Sequence, residues 1–136
     1  MIRVELSKII IDEKRSDQVI VLKEKDGDRQ FPIIIGLVEA SSIKMELSKI
    51  KPPRPLTHDF LYSVTAALDA KVESLAIDKM VKGTFFGKLI LISKEGERKV
   101  VDCRPSDGIA LAARASAPIY VSEEVMQNAD IFRVEE

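Results

Sequence analysis

The chain has 136 residues, 46% hydrophobic and 32% charged, with 21 basic against 22 acidic side chains and a net charge of −1. That size and mixture fit a single domain over residues 1–136 with its own hydrophobic core, and exclude a disordered tail. The charge balance excludes a general attraction to nucleic acid or an anionic membrane, so any phosphate site must be a local cluster.

The first segment, "MIRVELSKIIIDEKR", is interrupted by charges throughout and does not read as a signal peptide. No apolar run is long enough to cross a membrane, and the expectation is a cytoplasmic protein without a membrane partner. Residues 2–11 alternate at Ile2, Val4 and Leu6 and then run apolar, which predicts a strand. "QVIVLKE" predicts a second strand, Asp26-Gly27 a hairpin turn, and "RQFPIII" a third strand in which Pro32 hints at an edge or a bulge. After Gly36 the period changes: Ala40, Ile43, Leu47 and Ile50 predict an amphipathic helix over 37–50 that stops at a proline run. Thr57 is expected to cap a second helix, 57–69, with Leu61, Val64 and Leu68 as its apolar face.

The pattern then begins again. "AKVESLAIDKMV", "GTFFGKLILIS" and "RKVVDC" read as three strands, and a helix is expected over 106–115 behind Pro105. "IYV" and a short helix capped by Ser122 follow. The fold class is therefore α+β, with a mainly antiparallel or mixed sheet, packed helices and an internal pseudo-repeat of a β-β-β-α unit. Laying "PIIIGLVEASSI" over "VVDCRPSDGIAL" pairs Glu39 with Asp107 and predicts two acidic helix starts in comparable settings.

Two segments carry candidate chemistry. In "PPRPLTHDF", three prolines stiffen the approach to a helix start and hold Arg54 beside it. Free N–H groups, a partial positive charge and an arginine together suit a phosphate or carboxylate. His58, the one histidine of the chain, can move a proton near neutral pH. Asp59 follows it directly, about 100° around a helix, so a partner for His58 must come from elsewhere. The plainer reading is a helix–helix linker with a capped start.

"VDCRPSDG" repeats the device with Arg104, Pro105, Ser106 and Asp107, and adds Asp102. Its carboxylates suit Mg²⁺ or Mn²⁺, whereas one histidine and one cysteine cannot build a zinc site of the usual kind. Here the plainer reading is a strand-end ion pair of Asp102 with Arg104. Cys103, the single cysteine, excludes an intrachain disulfide and reads as a small buried residue, not a nucleophile.

These two segments, in this order and spacing, resemble the bifunctional nuclease domain family over nearly the whole chain. The resemblance rests on "PRPLTHD" and on "VDCRPSDGIALAARASAPIYV". It implies a compact α+β domain that self-associates, and a nuclease, a hydrolase acting on DNA (DNase) or RNA (RNase). Family members usually carry serine where this chain has Cys103.

On this footing His58, Asp59 and Asp107 are the candidate catalytic residues. Arg54, Thr57, Arg104 and Ser106 are the candidate phosphate ligands, and Glu39, Asp102 and Asp107 the candidate ligands for Mg²⁺ or Mn²⁺. A two-histidine mechanism is impossible within one chain. The alternative from another class is a non-enzymatic oligomeric module binding an anion, a nucleotide or a protein through the same loops. A homodimer or higher homo-oligomer is expected because "VELSKIII" and "KLILIS" look like strand edges in need of cover.

Overall fold

The computed structural model describes residues 1–133. The chain opens with an antiparallel meander, β1 (Ile2–Ile10), β2 (Asp17–Glu24) and β3 (Arg29–Gly36), followed by helices α1 (Leu37–Leu47) and α2 (Thr57–Ala67). A second meander, β4 (Lys71–Val81), β5 (Thr84–Ile92) and β6 (Arg98–Cys103), leads into α3 (Pro105–Ala115). β7 (Ile119–Val121), α4 (Glu123–Asn128) and β8 (Phe132–Arg133) complete the described chain.

The strand order is β6-β5-β4-β7-β1-β2-β3-β8. Short β7 joins the two meanders, running parallel to β4 and antiparallel to β1. The result is one mixed sheet with packed helices, the α+β class read from the sequence. The local chemistry is consistent with it. Lys82 and Gly83, the two residues between β4 and β5, both have positive φ (50° and 79°), as a type I′ hairpin turn requires. Ile20, Val21 and Leu22 of β2 are buried, and Pro105 occupies the first turn of α3, where its missing N–H costs nothing.

The sheet is strongly curled. Five strand spacings separate β5 from β3, which in a flat sheet would be about 24 Å. Yet Phe31 of β3 and Phe85 of β5 stack with ring centroids 5.8 Å apart. The same core takes in Ile43 of α1 and Ile109 and Ala110 of α3. Curling thus brings both β-α junctions, β3–α1 and β6–α3, to one region.

Several expectations need correction. Helix α1 ends at Leu47, and Lys49 adopts a left-handed conformation (φ 57°), so Leu47 and Ile50 lie exposed instead of continuing the apolar stripe. Thr57 is the first residue of α2 and not its cap. Leu56 holds the cap position, and its N–H donates to Asp59 Oδ2 at 3.0 Å. The supposed apolar face of α2 is exposed, and His58 is the residue that this helix buries. β1 and β5 are interior strands; the edges of the sheet are β6 and β8, and the sequence reading did not foresee β8. The β-β-β-α order does occur twice, but α2 has no counterpart after α3, so the repeat rests on element order alone.

Candidate active site

Three helix starts build the site. α1 supplies Glu39 and Ser42, α2 supplies His58 and Asp59, and α3 supplies Asp107, with Arg104 at its N-cap position. Glu39 folds back over Gly36 so closely that a Cβ there would collide with its carboxylate. Glycine at 36 therefore makes room for the acid.

The side chains form one continuous chain of hydrogen bonds. Arg104 Nη2 donates to Glu39 Oε1 and its Nε to Asp107 Oδ2, each at 2.9 Å. Asp107 Oδ1 lies 2.9 Å from His58 Nε2, and His58 Nδ1 lies 2.7 Å from Ser42 Oγ. Arg114 then closes the far end, donating from Nη2 to Ser42 Oγ (3.1 Å), from Nε to Asp59 Oδ1 (2.9 Å) and from Nη1 to the Ala110 carbonyl (2.8 Å).

One proton arrangement satisfies every member with a neutral ring. Arg114 is always a donor, so Ser42 Oγ accepts from it and gives its own hydrogen to Nδ1. Nε2 then carries the ring hydrogen and donates it to Asp107. The chain runs from buried Ser42 and His58 outward to Arg104, whose side chain is 67% exposed.

The electrostatics follow from these contacts. Burial opposes the charge on Asp107, but hydrogen bonds from His58 and Arg104 outweigh it and hold the carboxyl below the usual range. Asp59 behaves likewise: burial is outweighed by the Leu56 N–H and by Arg114, and its pKa is lowered. Arg104 is raised, chiefly by its bond to Asp107. Burial, then the nearby Asp107 and Asp102 carboxylates, push the Cys103 thiol up to about 11, which disfavours a thiolate.

The structure gathers Glu39, His58, Asp59, Arg104 and Asp107. It places the other candidates elsewhere. Ser106 is buried beside Arg104, and both line a groove of about 560 Å³ that runs along Pro32–Gly36 toward Phe85. Thr57 and Arg54 are exposed, and Arg54 makes no hydrogen bond or ion pair among the described residues.

Asp102 points to Lys88 of β5 at 3.0 Å, not to Arg104. Glu39, Asp102 and Asp107 therefore do not converge, and the described residues contain no group of three or more metal-ligating side chains placed to hold an ion. Glu39 and Asp107 are both committed to Arg104. This donor set does not fit the expected Mg²⁺ or Mn²⁺ site.

Ser42 and Arg114 were missed in the sequence. A signal for Arg114 was there. It is the one cation on an otherwise small and apolar helix, seven residues and thus two turns beyond Asp107 on the same face.

Comparisons with known proteins bear on the same residues. An uncharacterized protein of Mycobacterium tuberculosis is 39% identical over 124 residues, covering 90% of this chain and 73% of its own length. Bifunctional nuclease 1 of Oryza sativa subsp. indica is 32% identical over 112 residues, covering 80% of this chain and 34% of its own. Bifunctional nuclease 1 of Arabidopsis thaliana is 27% identical over 107 residues, 76% of this chain and 33% of its own. This chain thus spans about a third of the plant proteins' length. The model of the bifunctional nuclease domain matches residues 20–133, a span that holds both motifs and every residue of the hydrogen-bonded chain, and the protein belongs to the bifunctional nuclease domain family.

Proposed function

We propose that this protein hydrolyses phosphodiester bonds in DNA or RNA, with Arg104 as phosphate ligand and the Asp107–His58 pair handling protons. The observation that carries the reading is the Arg104–Asp107–His58 relay, in which an exposed cation that lines the groove and a buried histidine share one carboxylate.

Arg104 has one Nη not engaged by Glu39 or Asp107, and that nitrogen is free to donate to a phosphoryl oxygen. A guanidinium hydrogen bond there stabilises charge that grows in the transition state. Water bonds to phosphorus as the bond to the leaving oxygen breaks. Asp107 takes the water's proton and passes it to the leaving oxygen, so the pair ends as it began. His58 holds Asp107 in place and in its charged form between turnovers. Ser42 and Arg114 fix the ring's orientation, a role at one remove from the substrate. The same proposal takes the working form as a homodimer or higher homo-oligomer.

A second reading has its own support. Arg104 is already neutralised by two acids, as suits a non-enzymatic module that binds a nucleotide or a protein. The test that separates them is cleavage of single- and double-stranded DNA and of RNA by the purified full chain, beside His58→Ala and Asp107→Asn. Loss of general acid–base catalysis is expected to lower the rate by at least about 100-fold in each variant. Equal activity in all three proteins would point to contamination and leave the binding module.

A further inference from the structure

Helix α2 is covered on one side only. From Phe60 through Leu68 it carries no charged residue, and Phe60, Leu61, Val64 and Leu68 are 62%, 44%, 40% and 74% exposed. His58 is the residue α2 buries, while Phe60 and Val64 lie about 200° and 240° around the helix from it. The outer face is thus an exposed apolar stripe, and nothing in the described fold covers it.

We infer that this stripe is the contact between two copies of the chain, packed α2 against α2 about a twofold axis at Val64. The inference rests on the self-association reading above and not on the chemistry. Three observations favour a second copy over another occupant. The first is pattern. Phe60, Val64 and Leu68 form one i, i+4, i+8 ridge, which packs against an identical ridge. An antiparallel twofold at Val64 sets Phe60 against Leu68 of the partner subunit, so the bulky ends meet and the small centre meets itself.

The second is charge. An isologous contact places each residue near its own copy, and this stripe has no charge to be repelled across the axis. The antiparallel arrangement also sets the N-terminal end of one helix beside the C-terminal end of the other, which favours both dipoles.

The third is area. With Leu56 the stripe exposes roughly 500 Å², toward the upper end of the largest apolar patch that a monomer ordinarily shows, and patches of that size are often functional. That is most of the ~800 Å² per side of a standard interface. Because α2 also carries His58 and Asp59, the contact would brace the helix that positions the relay.

The test is the mass of the full chain in solution by light scattering and sedimentation, with circular dichroism confirming that each variant is folded. The wild type is expected to be a dimer, or an even-numbered assembly of dimers, at micromolar concentration. Val64→Glu places like charges at the axis and is expected to raise the Kd by about 30-fold or more. Phe60→Glu and Leu68→Lys should each weaken the dimer. Combined in one chain, they should restore it, because each glutamate then meets a lysine of the partner subunit. A monomeric wild type would overturn the self-association reading. A dimer indifferent to Val64→Glu, or double variants no tighter than the singles, would overturn this surface alone and point to another, such as the β6 edge.

Discussion

His58 Nε2 and Asp107 Oδ1 lie 2.9 Å apart across 49 residues of chain. Two helix starts on different β-α units supply them, and the curl of the sheet brings those units together. Asp107 gains from both neighbours: His58 on one oxygen and Arg104 on the other hold it charged despite burial. The pair is well placed to hold a proton but has no slack, since both carboxylate oxygens of Asp107 and both ring nitrogens of His58 are already bonded. A change at one end should therefore be felt at the other.

Arg114 offers the clearest case. Its side chain is 5% exposed and ties Asp59, Ser42 and the Ala110 carbonyl together. Arg114→Met is expected to cost about 3 kcal/mol, because it leaves the Asp59 carboxylate without its partner in a partly buried position. Urea unfolding checks this. Arg104→Ala, at the exposed end of the same relay, should lower activity with a far smaller stability loss. A reversed order would make Arg104 a structural residue.

The acid limb of stability carries a second prediction. Asp59 and Asp107 both have folded pKa values below the ordinary range. A depressed folded pKa contributes stability that is present above the unfolded value and is lost as pH falls through the folded one. The window therefore opens near pH 4, the ordinary aspartate value, and extends downward. Thermal melts from pH 6 to pH 2 should show stability falling across it, with a shallower fall in Asp107→Asn. Equal slopes in both proteins would mean that Asp107 is not held charged by its neighbours.

Metal binding is a third. An ion held by Glu39, Asp102 and Asp107 would have to break the pairs with Arg104 and Lys88 and bring Asp102 across from β6. Mn²⁺ is accordingly expected to give no saturable line broadening up to millimolar concentration, and EDTA to leave cleavage unchanged. Saturable binding abolished by Asp107→Asn would restore the metal mechanism.

What the sequence determined by itself was local. Alternation and turn chemistry set the strands: Asp26-Gly27 read as a hairpin turn and does join β2 to β3, and Pro105 read as a helix start and does open α3. These preferences act within a few residues and can be read in place. The two proline-led motifs likewise pointed to His58, Arg104 and Asp107, because helix starts declare themselves by composition.

The partners were decided by the tertiary structure. Asp102 was expected beside Arg104, two residues away, yet the pleat and register set it opposite Lys88 on β5. Asp59 found its partner in Arg114, 55 residues away, because α2 packs on α3. The apolar run of α2 looked like a core face, but which side of a helix is buried depends on where its neighbours stand. Here α3 claims only the side that bears His58. Ion pairs and burial are settled over a few ångströms of space, and that distance is fixed by the curl of the sheet and not by position along the chain.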